Sequence, residues 1–218
     1  MGSAVIVFGP PGSGKGTQAV LLADSLGVPH VSTGDIFRQH AEAGDELGRE
    51  VQAVMQAGKL APDELVNRIV AERLGQTDCA GGFILDGYPR TLGQAEVLGA
   101  WLKERGLEQV VVNLLVDYNV IVGRISSRRS CPRCGAAYNL ISNPPKHDGV
   151  CDRDGSPLKT RQDDQEAVVR KRLQAYEQQT LPLLDCFRSS GCRFYEVDGN
   201  QGAPEWIAGR ISGLIKQG

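Results

Sequence analysis

The sequence lacks the features that would place the protein in a membrane or on a polyanion. No apolar run approaches the roughly 20 residues that a membrane-spanning helix needs. The longest, over residues 110–116, is interrupted by Asn113. The chain has 24 Lys and Arg residues against 26 Asp and Glu, so no general excess of positive charge is available to bind nucleic acid or an anionic bilayer. We expect neither partner, and any binding of anions must be local.

We also expect no targeting segment at the start of this sequence. Residues 1–8 carry no basic lead and no cleavage pattern, and a signal peptide there would destroy the glycine-rich motif that begins at Gly9. The chain has 218 residues, of which 41% are apolar and 23% charged. This composition fits one globular domain, or one core with insertions. We therefore expect a soluble, cytoplasmic protein.

Short apolar runs alternate with helical patterns along most of the chain. The run at residues 4–8 ends in glycine and proline, which is typical of a strand buried on both faces, and a helix is predicted at residues 15–26. Pro62 at the first helical position, followed by Asp63 and Glu64, predicts the start of another helix. The alternation predicts an α/β domain with a parallel sheet. Further strands are predicted at residues 83–85, 110–116 and 194–197.

Two segments interrupt this alternation. Residues 32–61 contain two helical stretches with no strand between them, whereas residues 128–164 lose helical periodicity and are rich in Pro, Gly, Asn, Asp and Cys. Helical patterning resumes after Asp164, and Pro182 should bend or stop that helix. We predict a core with two insertions, the core being formed by residues 1–31, 62–127 and 165–218.

A phosphate-binding loop follows the first predicted strand. The sequence Gly9-Pro-Pro-Gly-Ser-Gly-Lys-Gly-Thr17 lies between that strand and the next helix, which is the context of a P-loop. Its glycines let backbone N–H groups approach phosphate oxygens, and Lys15 can reach the outer phosphates. The strict pattern has Ser or Thr directly after the lysine, whereas Gly16 intervenes here. The alternative is a strand-to-helix turn that merely needs glycine, but such a turn does not require Lys15 and Thr17 together.

This loop resembles the form found in adenylate kinases, and further motifs of that family follow in the family's order over nearly the whole chain. The resemblance implies a P-loop NTPase-like parallel sheet flanked by helices. It also implies a helical insertion that binds the nucleoside monophosphate at residues 32–61, and a metal-binding lid at residues 128–164. The matching stretches are residues 32–38, 58–60, 85–91 with Gln94, 123–125, 128–129, and 161–166 with Arg172.

The family resemblance implies an activity and a set of binding residues. The activity is reversible phosphoryl transfer from Mg²⁺-ATP to AMP, giving two ADP, in adenine nucleotide homeostasis. The implied ATP-binding residues are Gly12, Ser13, Gly14, Lys15, Gly16, Thr17, Arg124, Arg128, Ala137, Tyr138 and Gln201. The implied AMP-binding residues are Thr33, Arg38, Lys59, Leu60, Ala61, Gly87, Tyr88, Pro89, Arg90, Gln94, Arg161 and Arg172.

The chemistry of phosphoryl transfer independently favours the arginines of these motifs. Its transition state spreads negative charge over the equatorial oxygens, so planar and permanently charged donors stabilise it. No catalytic base is needed, because the acceptor is already an anionic phosphate oxygen. The predicted catalytic residues are Lys15, Arg38, Arg90, Arg128, Arg161 and Arg172.

Three carboxylates in these motifs have separate predicted roles. Asp86 ends the second predicted strand, which begins at Phe83, and at that position it can hold the water shell of Mg²⁺. Asp163 and Asp164 could merely cap the following helix, or one of them could do more.

The acceptor base is indicated by three polar residues. Thr33, Thr91 and Gln94 resemble the members of the family that accept AMP, and the amide of Gln94 can offer both a donor and an acceptor to an adenine edge. A UMP/CMP kinase is the alternative. The residues determine the base of the phosphate-donating nucleotide less well, because relatives that use GTP in place of ATP share the long insertion.

The insertion also carries the pattern of a metal site. Cys131-Pro-Arg-Cys134 and Cys151-Asp-Arg-Asp154 form two pairs with a gap of two residues each, and carboxylate oxygen is an acceptable fourth ligand for Zn²⁺. Neighbouring Asp152 does not keep that gap. The insertion has too few apolar residues for a core of its own, so we predict a closed, structural zinc site. Iron and cobalt remain open as alternatives.

The remaining cysteines, Cys79, Cys186 and Cys192, are predicted to be small buried hydrophobes.

The rival function is a non-catalytic, nucleotide-dependent regulator whose zinc knuckle binds nucleic acid or a partner. Against it stand the small net charge, the lack of interleaved aromatics and the additional arginine motifs. The ligands expected are therefore ATP, AMP and ADP, and the single-chain site predicts a monomer.

Overall fold

The computed structural model describes residues 2–217, so Met1 and Gly218, the outer bounds of the predicted core, lie outside the described residues. The strands are β1 (Ser3–Phe8), β2 (His30–Ser32), β3 (Gly82–Asp86), β4 (Glu108–Leu115), β5 (Arg128–Ser130), β6 (Ala137–Asn139) and β7 (Arg193–Asp198). Within the described range, five of them form a parallel sheet in the order β2-β3-β1-β4-β7. The parallel α/β fold predicted from the sequence is confirmed.

The central strands are buried on both faces, as their continuous apolar runs predict. Ile6 on β1, Ile84 on β3 and Val111 on β4 are each 0% exposed. The three-residue β2 was not predicted, because His30-Val-Ser has no apolar run that distinguishes it from a loop. Only its pairing with β3 identifies it as a strand.

Helices cover both faces of this sheet. They are α1 (Lys15–Leu26), α2 (Thr33–Ala43), α3 (Glu46–Ala57), α4 (Asp63–Leu74), α5 (Leu92–Glu104), α6 (Tyr118–Ser126), α7 (Glu166–Ala175), α8 (Leu183–Ser189) and α9 (Pro204–Gln217). One apolar cluster packs α4, α5 and α8 on one face, and a second packs α1 and α9 on the other. The predicted helix at residues 15–26 has the observed bounds of α1. None of the helices in the described range is long and apolar enough to cross a membrane.

Both interruptions have the local structure that their patterns predict. Residues 32–61 contain α2 and α3, which pack on each other. Residues 128–164 contain the antiparallel pair β5–β6 and a 3₁₀ turn at Gln162–Asp164. The division of the chain into a core and two insertions stays a prediction.

One prediction about a helix start was wrong, and one of two open alternatives for another helix start is excluded. Pro62 precedes the first residue of α4 rather than occupying it, because its ψ of 138° is extended. Asp163 and Asp164 do not cap α7, since Gln165 is the N-cap residue and both aspartates lie in the preceding 3₁₀ turn.

The prediction for the three isolated cysteines was correct for Cys79 but wrong for Cys186. Cys79 is buried in the core, whereas Cys186 is exposed on α8 and Cys192 is only partly buried. The buried side of α8 is formed by Leu183, Leu184 and Phe187, which leaves position 186 outside it.

The parallel order brings the carboxyl ends of all the main strands to one edge of the sheet. In open α/β sheets this edge carries the ligand site, because the loops that follow the strands meet there. The loop after β1 leads directly into Lys15 at the start of α1, the residues after β3 include Gly87 and Arg90, and the turn after β7 contains Gly199. The fold therefore assembles the predicted site from distant segments.

Candidate active site

The phosphate-binding loop has the backbone that its glycines predict. Gly12 has a φ of 84°, and a Cβ there would lie 2.7 Å from Cγ1 of Ile125, so only glycine fits. Gly14, with a φ of 92°, precedes α1, whose first residue is Lys15. The loop thus presents the N-terminus of α1, with its partial positive charge, at the edge of the sheet.

Lys15 lies in a crowded and positively charged environment. Its Nζ donates to the backbone oxygen of Pro10 at 3.4 Å. Burial lowers the pKa of Lys15 to about 8, against an opposing effect of Asp86, and the nearby charges of Arg90 and Arg172 lower it further. An anionic ligand such as phosphate would relieve this repulsion and favour the protonated form of Lys15.

Two of the predicted catalytic arginines are held by the aspartates of the 3₁₀ turn. Arg128 makes a two-point ion pair with Asp164, whose side chain is 0% exposed, and its Nε lies 2.8 Å from Oδ2 of that residue. Arg172 Nη1 donates to Oδ2 of Asp163 at 2.7 Å. Burial would raise the pKa of Asp163, but the charges of Arg172 and Arg38 outweigh it and hold the pKa below its usual range. Both aspartates therefore hold arginines instead of capping the helix.

Arg90 and Arg161 are unusually costly to keep charged. Burial, together with the charge of Arg172, lowers the pKa of Arg90 to about 10. Burial and the charge of Arg38 lower the pKa of Arg161 likewise to about 10, and its buried Nε has no partner among the described residues. Such groups are poised to gain a hydrogen-bonded anion.

Backbone contacts fix the position of Arg90. Its Nε donates to the oxygen of Gly87 at 2.8 Å, and Thr180, from the π-helical turn Tyr176–Thr180, donates its hydroxyl to the oxygen of Arg90 at 3.1 Å. Thr33 donates to the same oxygen of Gly87 at 3.0 Å. The first residue of α2 and the loop after β3 are therefore tied together at this point.

Asp86 fits the role of a ligand for hydrated Mg²⁺. It is buried at the end of β3, and its Oδ1 has no hydrogen-bond partner within the described residues. Its Oδ2 lies 4.0 Å from Nε2 of His30. A buried carboxylate oxygen left without a donor is a suitable acceptor for the water shell of a divalent cation.

Two clefts meet at the phosphate-binding loop. The first cleft reaches Lys15 and is walled by apolar side chains, among them Val54 and Met55 of α3. The predicted AMP-binding residues along it are Thr33, Arg38, Lys59, Leu60, Ala61, Gly87, Tyr88, Pro89, Arg90, Gln94 and Arg172. Arg161 does not line it.

The second cleft lies on the other side of the same loop. The predicted ATP-binding residues along it are Gly12, Ser13, Gly14, Thr17, Arg124, Arg128, Ala137 and Tyr138. Arg124 donates to the backbone oxygens of Ser13 and Gly199, at 2.9 and 2.6 Å. Gly16 and Gln201 do not line this cleft, and Gln201 is exposed, although its neighbour Gly202 contributes to the wall.

The four predicted metal ligands come together in space. One potential ligand atom each from Cys131, Cys134, Cys151 and Asp154 lies within 4.8 Å of the other three. A tetrahedral zinc site with Zn–S bonds of about 2.3 Å needs sulfur atoms roughly 3.8 Å apart. The sulfurs of Cys134 and Cys151 are 3.5 Å apart, and the sulfur of Cys131 is 3.4 Å from Asp154. The donor set and its spacing therefore fit Zn²⁺.

Hydrogen bonds around this cluster suit a charged ligand set. The backbone N–H of Ser156 donates to Asp154 at 2.9 Å and holds the pKa of that carboxyl below its usual range. The N–H of Cys134 faces the sulfur of Cys131 at 3.4 Å, and the hydroxyl of Tyr138 lies 3.5 Å from the sulfur of Cys151. Such outer contacts orient metal ligands and offset their negative charge.

Sequence reasoning missed several residues of the site. The apolar wall of the first cleft and the contact of Thr180 with Arg90 have no signature in the sequence, because they depend on how distant helices pack. Asp63 was noted only as a first-turn acid of α4, yet it accepts hydrogen bonds from Thr91 and Gln94 at 2.6 and 2.8 Å.

Comparison with known proteins gives one answer. A family profile described as adenylate kinase matches residues 7–192. A protein of Anaeromyxobacter dehalogenans strain 2CP-1, named adenylate kinase, is 50% identical over 93% of this chain and 94% of its own length. Relatives of the same name are 48% identical in Caldanaerobacter subterraneus subsp. tengcongensis and 53% identical in Trichlorobacter lovleyi. They cover 92% and 85% of this chain, and 91% and 87% of their own lengths. The chain therefore belongs to the adenylate kinase family.

Proposed function

We propose that this nucleoside monophosphate kinase binds AMP in the first cleft and ATP in the second, with the phosphates meeting at Lys15. The family assigns the reaction, the interconversion of ATP and AMP with ADP. The observation that carries the assignment of the clefts is their meeting at one glycine loop. Lys15 faces the first cleft while Gly12 and Gly14 line the second.

Transfer needs only a few atomic changes at this meeting point. A phosphate oxygen of AMP forms a bond to the terminal phosphorus of ATP, and the bond from that phosphorus to its bridging oxygen breaks. Negative charge builds up on the oxygens of the transferred phosphoryl group, and Lys15, Arg90 and Arg172 supply positive charge around them. Positioning and charge suffice, because both reacting groups are already anionic phosphates.

The ion pairs of the 3₁₀ turn prepare the arginines for this task. Arg128 and Arg172 each have five N–H donors, and Asp163 and Asp164 occupy only some of them. The aspartates hold each guanidinium in one orientation while its remaining donors stay available to phosphate. Preorganised donors of this kind cost no reorganisation at the moment of reaction.

Mg²⁺ bound with ATP would neutralise phosphate charge and is the cofactor we assign to Asp86. The unpartnered oxygen of Asp86 supports this role. Zn²⁺ in the cluster of Cys131, Cys134, Cys151 and Asp154 would be structural, since all four positions of a tetrahedral site are taken by protein ligands.

We assign closing motions to the two insertions. Residues 32–61 would fold over AMP, and residues 128–164 would act as the lid over ATP. The lid segment includes Arg128 and Arg161, so its closure would bring two of the predicted phosphate-binding groups toward the nucleotides. Closure must exclude water, because otherwise ATP would be hydrolysed.

A complete site within one chain supports a monomer. Free cysteines at the predicted metal site support a reducing compartment such as the cytoplasm.

The reaction itself is tested with purified protein and Mg²⁺-ATP in a coupled assay for ADP. We expect ADP from AMP without any macromolecule, and at least about a hundredfold lower kcat/KM for UMP and CMP, because buried polar groups shaped for adenine are left unpaired by other bases. Faster turnover of UMP or CMP would identify the pyrimidine alternative. An absence of ADP with every monophosphate would favour the non-catalytic regulator.

Replacing Lys15 with Met should lower kcat by about a hundredfold to a thousandfold, because one preorganised positive group is lost from the transition state. The matched control is Lys103→Met, which removes an exposed lysine of α5. The circular dichroism of both variants should match that of the unaltered protein, and Lys15→Met should not melt at a lower temperature, because it removes a charge that burial and neighbouring cations oppose. Near-normal turnover of Lys15→Met would refute the assignment.

The pH dependence of catalysis should report the lowered pKa of Lys15. Since this pKa is about 8 in the free protein, kcat/KM for ATP should fall as the pH rises above about 8, where the ammonium loses its proton. Bound phosphate raises the pKa, so the fall in kcat should occur at a higher pH. Steady-state kinetics between about pH 6 and pH 10 measure both the fall of kcat/KM and the fall of kcat. A kcat/KM that stays flat to about pH 9 contradicts this role.

Removing the metal should destabilise the lid before the core. Elemental analysis should find one zinc per chain in the unaltered protein and in Cys186→Ser, but none in Cys151→Ser, because Cys186 lies outside the cluster. A chelator should shift an early, lid-specific transition in calorimetry to lower temperature. A melting profile that the chelator leaves unchanged would show that the cluster holds no structural metal. If elemental analysis finds iron or cobalt instead of zinc, that metal is assigned to the cluster.

A further inference from the structure

Gln94 lies at the wall of the first cleft with its side-chain amide engaged at both ends. It is 2% exposed and lies in the first turn of α5. Its Oε1 accepts from the backbone N–H of Arg90 at 2.8 Å, and its Nε2 donates to Oδ1 of Asp63 at 2.8 Å. The amide is therefore held between two partners from different segments of the chain.

These two partners permit only one orientation of the amide. A backbone N–H can only donate, so the atom that faces Arg90 must be the carbonyl oxygen of Gln94. A carboxylate can only accept, so the atom that faces Asp63 must be the NH₂ group. Reversing the amide would leave two buried mismatches, one donor against a donor and one acceptor against an acceptor.

Asp63 is itself fixed. Its Oδ2 accepts from the hydroxyl of Thr91 at 2.6 Å. The same hydroxyl accepts from the backbone N–H of Gln94 at 3.2 Å, so its proton is free to point at Asp63. Both oxygens of the carboxylate thus have donors, and Asp63 stays in place without lining the cleft.

Gln94 keeps half of its hydrogen-bonding capacity. A carbonyl oxygen has two lone pairs and an amide NH₂ has two protons, of which Arg90 and Asp63 use one each. The remaining acceptor and donor match adenine, whose 6-amino group donates and whose N1 accepts. Hypoxanthine presents the reverse pattern, because its O6 accepts and its N1 carries a proton.

We propose that Asp63 is a positioning residue that sets the base preference of the first cleft, by holding the Gln94 amide in the orientation that accepts a 6-aminopurine and rejects a 6-oxopurine. The inference rests on the proposed binding of AMP in this cleft. Asp63 acts through Gln94 and touches neither the base nor the phosphates. As a first-turn acid it also stabilises α4, so a test needs a readout that helix stability does not move.

The ratio of kcat/KM for AMP to kcat/KM for IMP is such a readout. The variant is Asp63→Asn, whose side chain can donate as well as accept, so that one of the two constraints on the amide is removed while the size of the side chain is kept. We expect the AMP:IMP ratio to fall about tenfold, which is the effect of losing one discriminating buried hydrogen bond. KM for ATP should not change, because the ATP cleft is not part of this network.

The matched control is Glu64→Gln, which removes an exposed first-turn acid next to Asp63 and should leave the ratio unaltered. Melting temperatures are measured for every variant. If Asp63→Asn does not fold, Asp63→Ser gives the same comparison, since a hydroxyl also both donates and accepts.

The outcomes separate this inference from the proposed function. If the unaltered protein forms no ADP from AMP, the proposed function fails. If it turns over AMP but folded Asp63→Asn keeps the AMP:IMP ratio within about twofold, the orientation of Gln94 does not depend on Asp63 and the inference is overturned. An equal fall of the ratio in Glu64→Gln would also overturn it, because loss of helix-start charge would then account for the effect.

Discussion

The arrangement of this molecule depends on keeping several partly buried cations close together at one edge of a parallel sheet. Lys15, Arg90 and Arg161 have lowered pKa values because burial and neighbouring positive charges oppose their ionisation. A protein interior tolerates such a cluster only when carboxylates or bound anions compensate it. Asp86, Asp163 and Asp164 supply part of that compensation, and nucleotide phosphates are the remaining counter-charge in the function we propose.

The same constraint explains why polar residues that do not touch a ligand are organised so closely. Guanidinium groups that must meet phosphate in one geometry need fixed partners, and Asp164 on Arg128 and Thr180 on the backbone of Arg90 provide them. Gln94 is held in the same manner by Asp63. For Arg128 and Gln94 this partner is a carboxylate, which can only accept, so it determines which donors and acceptors remain for the ligand.

Much of the fold and of the site could be predicted from local patterns. The strands β1, β3, β4 and β7, the bounds of α1 and the cysteine spacing are encoded in neighbouring residues. The sequence left open whether Asp163 and Asp164 cap α7 or do more, because Asp164 pairs with Arg128, which is distant in sequence. Cys186 was placed in the core by residue type, whereas the side of α8 that packs inward decides its exposure.

The sequence alone determined the family, the parallel α/β class, the phosphate-binding loop and the set of candidate ligands for zinc, because each is written in contiguous or regularly spaced residues. The tertiary structure decided which atoms of these residues remain free. It decided that Asp163 and Asp164, whose role the sequence left open, are partners of arginines, and it placed a first-turn acid against the amide of Gln94. Hydrogen bonds between distant segments depend on packing in three dimensions, and no local pattern in the chain specifies that packing.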